Sequence, residues 1–167
     1  MTDAVDELIQ YRKPHGLSRM AERFYRFHRR NPQVLDFLVL ELRNVRDCDW
    51  VSASVHSLWE HGRWVLRKHR VPGEQFEMDN KIAPYYARVI VLLHPEFNGF
   101  FEMRKSQANA DLGVMLESVS KRKRPGHLRR LLWADGTEIE HGWRPSTPHA
   151  PKPVNRRELV KRERHGS

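Results

Sequence analysis

Residues 76–93 read F-E-M-D-N-K-I-A-P-Y-Y-A-R-V-I-V-L-L. This stretch decides the fold class. Its second half, 89–93, is apolar on every side, and a helix of that kind must be packed on all sides. Asp79 and Asn80 are capping residues, and Pro84 falls in the first turn, where a helix tolerates it. Ile82, Tyr86, Val89 and Leu93 recur on one face, while Lys81, Tyr85 and Arg88 share another. A helix anchored by a buried C-terminal half, with Asn80, Lys81, Tyr85 and Arg88 near its start, has the design of a DNA recognition helix. Asn80 and Arg88 carry donors suited to base edges. The plain alternative is a capped core helix with Arg88 paired to a carboxylate such as Glu60.

Working back from that stretch, residues 54–70 predict a second helix capped by Ser54. Val55, Leu58, Trp59, Gly62, Val65 and Leu66 form its apolar stripe; His56, Glu60, Arg63, Arg67 and Arg70 lie opposite. Trp64 sits on the flank with His61 and Lys68; packing into the core is expected for it, the alternative being a half-exposed platform on which a base stacks. Val71-Pro72-Gly73 ends the helix. Further back, Asn31-Pro32 starts a helix to about residue 47. It is apolar over most of its circumference and is expected to be the most buried of the set. Residues 17–30 predict an amphipathic helix with Leu17, Met20, Ala21, Phe24, Phe27 and His28 on one face. Arg19, Arg23, Arg26 and Arg30 form a basic stripe on another. A solvated face is the bland account of that stripe; a phosphate-contacting face is the functional one. Residues 1–16 hold a short helix ending before Pro14 and Gly16.

Working forward, Pro95 starts a short helix carrying Phe97, Phe100 and Phe101, and residues 107–119 predict a weaker helix through Ala108, Leu112, Met115, Leu116 and Val119. Lys121-Arg122-Lys123-Arg124-Pro125-Gly126 breaks the composition and marks a domain boundary. Beyond it, 131–134 and 137–140 flank Asp135-Gly136, a hairpin signal. Residues 143–153 read as a linker and 154–167 as a basic end. The expected fold is all-α, a domain of five to six helices with a small C-terminal β-hairpin and a basic tail. Its divisions are an N-terminal arm 1–16, a helical domain 17–120 and a basic region 121–167.

The 167 residues suit one compact domain plus an appendage. Net charge is +9 and unevenly spread: residues 1–120 hold 17 Lys and Arg against 16 Asp and Glu, and 121–167 hold 13 against 5. An excess confined to one end suggests an arm for a polyanion such as nucleic acid, against the bland account of a solubilising tail. The one cysteine, Cys48, forms no intramolecular disulfide and is expected to be a buried or idle thiol in a reducing setting, not a nucleophile. No apolar run is long enough for a membrane span, and the first residues lack the regions of a signal peptide, so a cytoplasmic protein is expected. There is no G-x-x-x-x-G-K, H-E-x-x-H or G-x-S-x-G. His56 and His61 are five apart, off a common helix face, so no metal and no cofactor is expected.

F-H-R-R-N-P-Q-V, S-L-W-E-H-G-R-W, F-E-M-D-N-K-I-A-P-Y-Y-A-R-V-I and P-E-F-N-G-F-F-E-M-R resemble the blocks of a group of small helical proteins encoded by bacteriophages and prophages, mostly of unassigned function. The resemblance covers about residues 24–104 and implies a setting, the host cytoplasm, more than an activity. Members often carry an Asn pair and Arg or Tyr at the start of the third block; here it reads Asp79-Asn80-Lys81-Ile82.

The expected function is nucleic-acid binding, with DNA as ligand in a regulatory or phage-associated role, by a helix-turn-helix-like pair at 54–70 and 80–93. The connection between them is longer than the usual tight turn. Phosphate contacts are assigned to Arg63, Arg67, Arg70, Lys121, Arg122, Lys123, Arg124, Arg129 and Arg130, and base contacts to Asn80, Lys81, Tyr85 and Arg88. One alternative is a phage-encoded module that binds a host or virion protein through Trp133 and Trp143. The other is a small metal-dependent nuclease built on Glu60, Glu77, Asp79, Glu96 and Glu102.

Overall fold

A computed structural model of the chain describes residues 3–68, 76–118 and 129–143. They form six helices and two strands: α1 (Ala4–Arg12), α2 (Arg19–Arg30), α3 (Gln33–Asp47), α4 (Val55–Lys68), α5 (Ala83–Leu93), α6 (Gln107–Leu112), β1 (Val114–Ser118) and β2 (Arg129–Trp133). Short 3₁₀ turns at Lys13–His15, Asn80–Ile82 and Pro95–Phe97 link them.

The helix starts follow the local chemistry. The Asp3 carboxylate accepts from the Val5 N–H at 3.0 Å, and Ser18 Oγ accepts from the Ala21 N–H at 3.1 Å. Asp79 accepts from the Lys81 N–H at 2.9 Å, so the chain enters α5 through a capped 3₁₀ turn. α3 follows Pro32 and is the apolar helix expected there.

The most buried helix is α5, not α3. Nine of its eleven residues are buried, Tyr85 and Arg88 among them. It packs against α3, α4 and α6 and against the 3₁₀ turns on either side. The recognition-helix expectation therefore fails for α5: a helix enclosed on all sides presents no face to a DNA groove. Tyr85 and Arg88, both 1% exposed, are held inside by partners far along the chain.

The predicted helix over 107–119 stops at Leu112. Gly113 takes up the left-handed conformation (φ 69°), and the chain leaves as β1, with Val114 buried, Met115 exposed and Leu116 half-buried. β1 pairs antiparallel with β2, from Val114 opposite Trp133 to Ser118 opposite Arg129. The hairpin thus joins 114–118 to 129–133. The Asp135-Gly136 turn forms where expected, with the Gly136 N–H on the Trp133 carbonyl at 2.8 Å, but among the described residues the arm beyond it makes only a single bridge, Leu132 to Glu138.

The arm and the appendage of the sequence reading both enter the core. Val5, Leu8 and Ile9 of α1 are buried, as are Leu131, Trp133 and Trp143. The Trp143 N–H donates to the Leu92 carbonyl at 2.7 Å, and its ring lies 6.0 Å from that of Tyr11. Trp133 and Trp143 are consequently core residues, which removes them as exposed anchors for a partner. No helix among the described residues is long and apolar enough to cross a membrane.

Candidate nucleic-acid interface

The surface of α2 is set by its period. At about 100° per residue, Arg19, Arg23, Arg26 and Arg30 fall within an arc of roughly 60°, directly opposite buried Ala21, Phe24 and His28. All four arginines are exposed. Arg23 leans over one side and pairs with Asp79 at 2.7 Å. That ion pair joins α2 to the 3₁₀ turn at Asn80–Ile82.

The turn is joined in its other direction to α4. Arg63 donates to both Glu60 oxygens at 2.7 and 2.8 Å, to the Met78 carbonyl at 2.6 Å and to Asn80 Oδ1. Four acceptors around one guanidinium fix its position. Beyond it, Arg67, Lys68 and Lys81 are exposed. Trp64 is exposed too, at 64%, with Lys68 Nζ 3.4 Å from its ring centroid. The core position expected for Trp64 belongs to Trp59 alone, which is fully buried. Trp64 occupies the outermost line of α4, about 140° around from Trp59.

On the other side of the arginine ridge lies a groove of about 870 Å³, lined by Lys13, Leu17, Tyr25, Arg26, Arg29 and Arg30, among others. The Arg29 guanidinium carbon stands 5.7 Å from the Tyr25 ring centroid, and Gln10 Nε2 donates to Tyr25 Oη at 3.3 Å. Among the described residues, Arg19, Arg26, Arg29, Arg30 and Arg67 make no ion pair.

The residues assigned from sequence divide four ways. Arg63, Arg67, Asn80 and Lys81 come together on the α4 flank of this surface, Arg63 and Asn80 already engaged with each other. Tyr85 and Arg88 lie inside. Tyr85 Oη donates to Asp111 Oδ2 at 2.5 Å; Arg88 donates to Asn109 Oδ1 (2.9 Å) and to the carbonyls of Pro84 (2.9 Å) and Arg104 (2.6 Å). Arg129 and Arg130 are on β2, and Arg130 is bound to Glu117 at 2.6 Å and Glu138 at 2.9 Å. The hydrogen bond and charge of Glu117, with Glu138 adding, raise the Arg130 pKa. Arg70, Lys121, Arg122, Lys123 and Arg124 lie outside the described residues.

The interior holds two further polar clusters. His28 sits between Tyr86 Oη (3.2 Å) and Asp3 Oδ2 (2.8 Å). Burial, with the charge of Asp3 adding, pushes the Tyr86 hydroxyl far above its ordinary range. Arg12 donates to the carbonyls of Asp111 (3.0 Å) and Ala110 (3.3 Å), and burial lowers its pKa against the opposing influence of Tyr11 and Asp111. Both clusters tie helices together by direct hydrogen bonds. Among the described residues no group of three His, Cys, Asp or Glu side chains is placed to hold a metal ion. The acidic residues of the nuclease reading are dispersed: Glu60 binds Arg63, Asp79 binds Arg23, and Glu96 faces His94 at 3.5 Å.

The groove beside Tyr25 was not legible in the sequence, because Lys13 and Leu17 reach it from outside α2. Comparison with protein-family models, with curated proteins and with solved structures finds no match to this chain.

Proposed function

We propose that this protein binds nucleic acid through the surface formed by α2, the Asn80–Ile82 turn and the outer face of α4. One observation carries this reading. The α2 ridge and the α4 face are joined through the Arg23–Asp79 and Arg63–Asn80 contacts into one surface, and Arg19, Arg26, Arg29, Arg30 and Arg67 stand on it without carboxylate partners among the described residues. Cations left unpaired in this density are suited to phosphates, whose neutralisation releases counterions. The chemistry selects the backbone and not a base sequence. Exposed Trp64 adds a ring on which a base can stack. Residues 121–167, with 13 Lys and Arg against 5 Asp and Glu, would add sequence-independent affinity.

The test is salt dependence. A variant with Arg19→Gln, Arg26→Gln and Arg30→Gln should bind DNA more weakly than the full chain. Its slope of log affinity against log salt should be shallower by roughly 2 to 3, about 0.9 per lost phosphate contact. Equal slopes for the two proteins, or no DNA binding by the wild type at low salt, would sink the proposal.

A second reading, a protein-interaction module, is favoured by Trp50 and Val51. They are 63% and 72% exposed at the rim of a depression of about 570 Å³ that also includes Glu41, Asp49 and Glu102. A partner captured after nuclease treatment, and lost on Trp50→Ala, would support it.

A further inference from the structure

We infer that the groove beside Tyr25 receives an unstacked base, so that the preferred ligand is single-stranded nucleic acid and not duplex. The inference rests on the nucleic-acid reading above and deepens it. The groove differs in kind from the ridge. Ile9 and Leu17 give it apolar lining, Tyr25 contributes a ring, and Lys13, Arg26, Arg29 and Arg30 surround these, with Glu22 the one acidic residue of the lining among the described residues. Its volume of about 870 Å³ lies within the range of about 300–1,000 Å³ typical of small-molecule sites. A convex ridge alone could follow the phosphates of either a duplex or a single strand. A concavity that combines apolar lining, a ring and four cations matches a flat base together with its flanking phosphates. Bases in a duplex are stacked and cannot enter it without the cost of extrusion, a few kcal/mol per base.

The ring is prepared for this role. Tyr25 is half-buried against the core, and Gln10 holds its hydroxyl. Arg29 lies over the ring, and its guanidinium is a second plane on which a base can stack. Glu22 can accept from an exocyclic amino group, which would favour bases that carry one.

The test uses the full chain and fluorescence anisotropy at one fixed salt concentration. The probes are a labelled single-stranded DNA 20-mer, the same strand with abasic residues throughout its centre, and the corresponding duplex. The single strand should bind at least 10-fold tighter than both others. Tyr25→Ala should weaken single-strand binding by about 5- to 150-fold, the range for loss of one stacked base, and leave duplex binding unchanged. Tyr25→Phe should retain most of the affinity. The abasic comparison uses the wild-type protein and so stands whatever the variants' stability. Equal affinity for the base-bearing and abasic strands overturns the inference and leaves the phosphate-binding reading intact. Equal weakening of strand and duplex by Tyr25→Ala overturns it likewise. No binding to any probe overturns both readings together.

Discussion

Replacing Arg88 with alanine separates two accounts of the α5 segment. If this arginine reads bases, its loss weakens DNA binding and spares stability. The structure requires the reverse. The guanidinium donates to Asn109 Oδ1, the Pro84 carbonyl and the Arg104 carbonyl, and the side chain is 1% exposed. Alanine removes three charge-assisted hydrogen bonds and leaves a cavity, with Asn109 Oδ1 retaining only the Ser106 N–H at 3.3 Å. Each such bond is worth about 1.5–3 kcal/mol, but the three share one side chain and are not additive. The lost bonds together with the cavity left by a long buried side chain cost about 3–5 kcal/mol. Against a total stability of roughly 5–15 kcal/mol this is a large fraction. With a urea slope of about 2 kcal/mol per molar, the unfolding midpoint should fall by roughly 2 M. Urea titration followed by tryptophan fluorescence measures this, and DNA anisotropy at low temperature measures affinity per folded molecule. A stability loss below about 1 kcal/mol accompanied by a tenfold loss of DNA affinity would refute the burial argument and restore Arg88 to the ligand.

Three more outcomes follow from the same reasoning. Trp59→Ala should destabilise the protein by about 3–5 kcal/mol, whereas Trp64→Ala should change stability by under about 0.5 kcal/mol; urea midpoints of the two variants check the contrast. Gly113→Ala forces a left-handed alanine, at about 1–2 kcal/mol, and its methyl would lie 2.8 Å from Arg12 Nη1, so calorimetry should show a total loss of about 2–4 kcal/mol. The pH dependence turns on Tyr86, whose pKa burial raises. The unfolded chain releases that proton near pH 10 while the folded chain keeps it, so stability is complete below pH 10 and falls above it by up to about 1.4 kcal/mol per pH unit. Tyr86→Phe should flatten this alkaline decline in unfolding titrations at pH 9 to 11.

Local signals carried the first four helices. Pro32 and Ser54 mark starts where the structure has them, and the stripe Leu58, Trp59 and Gly62 is buried as its spacing indicates. What the sequence hid was set by distant partners. The polar residues of α5 look like a surface until Asn109, Asp111 and Arg104 come in from the segment beyond it to satisfy them. Leu112, Met115 and Leu116 fit a helical stripe, but the left-handed Gly113 and the approach of β2 turn the second half of that stripe into a strand. At the candidate interface, the arginine row was plain from its spacing. Its union with the α4 face was not, because it depends on Asp79 and Asn80 lying between two helices.

The contact between Tyr11 and Trp143 has a consequence for the order of events during synthesis. The two rings are separated by 132 positions, so the first helix is made long before the residue that covers it. At about 5–20 residues per second, the interval is roughly 7 to 26 s. During that time the Tyr11 ring and the Leu92 carbonyl wait for a partner not yet made. A nascent protein halted at residue 120 would lack Leu131, Trp133 and Trp143 from its interior. Such an arrested chain should be a client for chaperones, and deletions meant to remove only the basic end belong after Trp143.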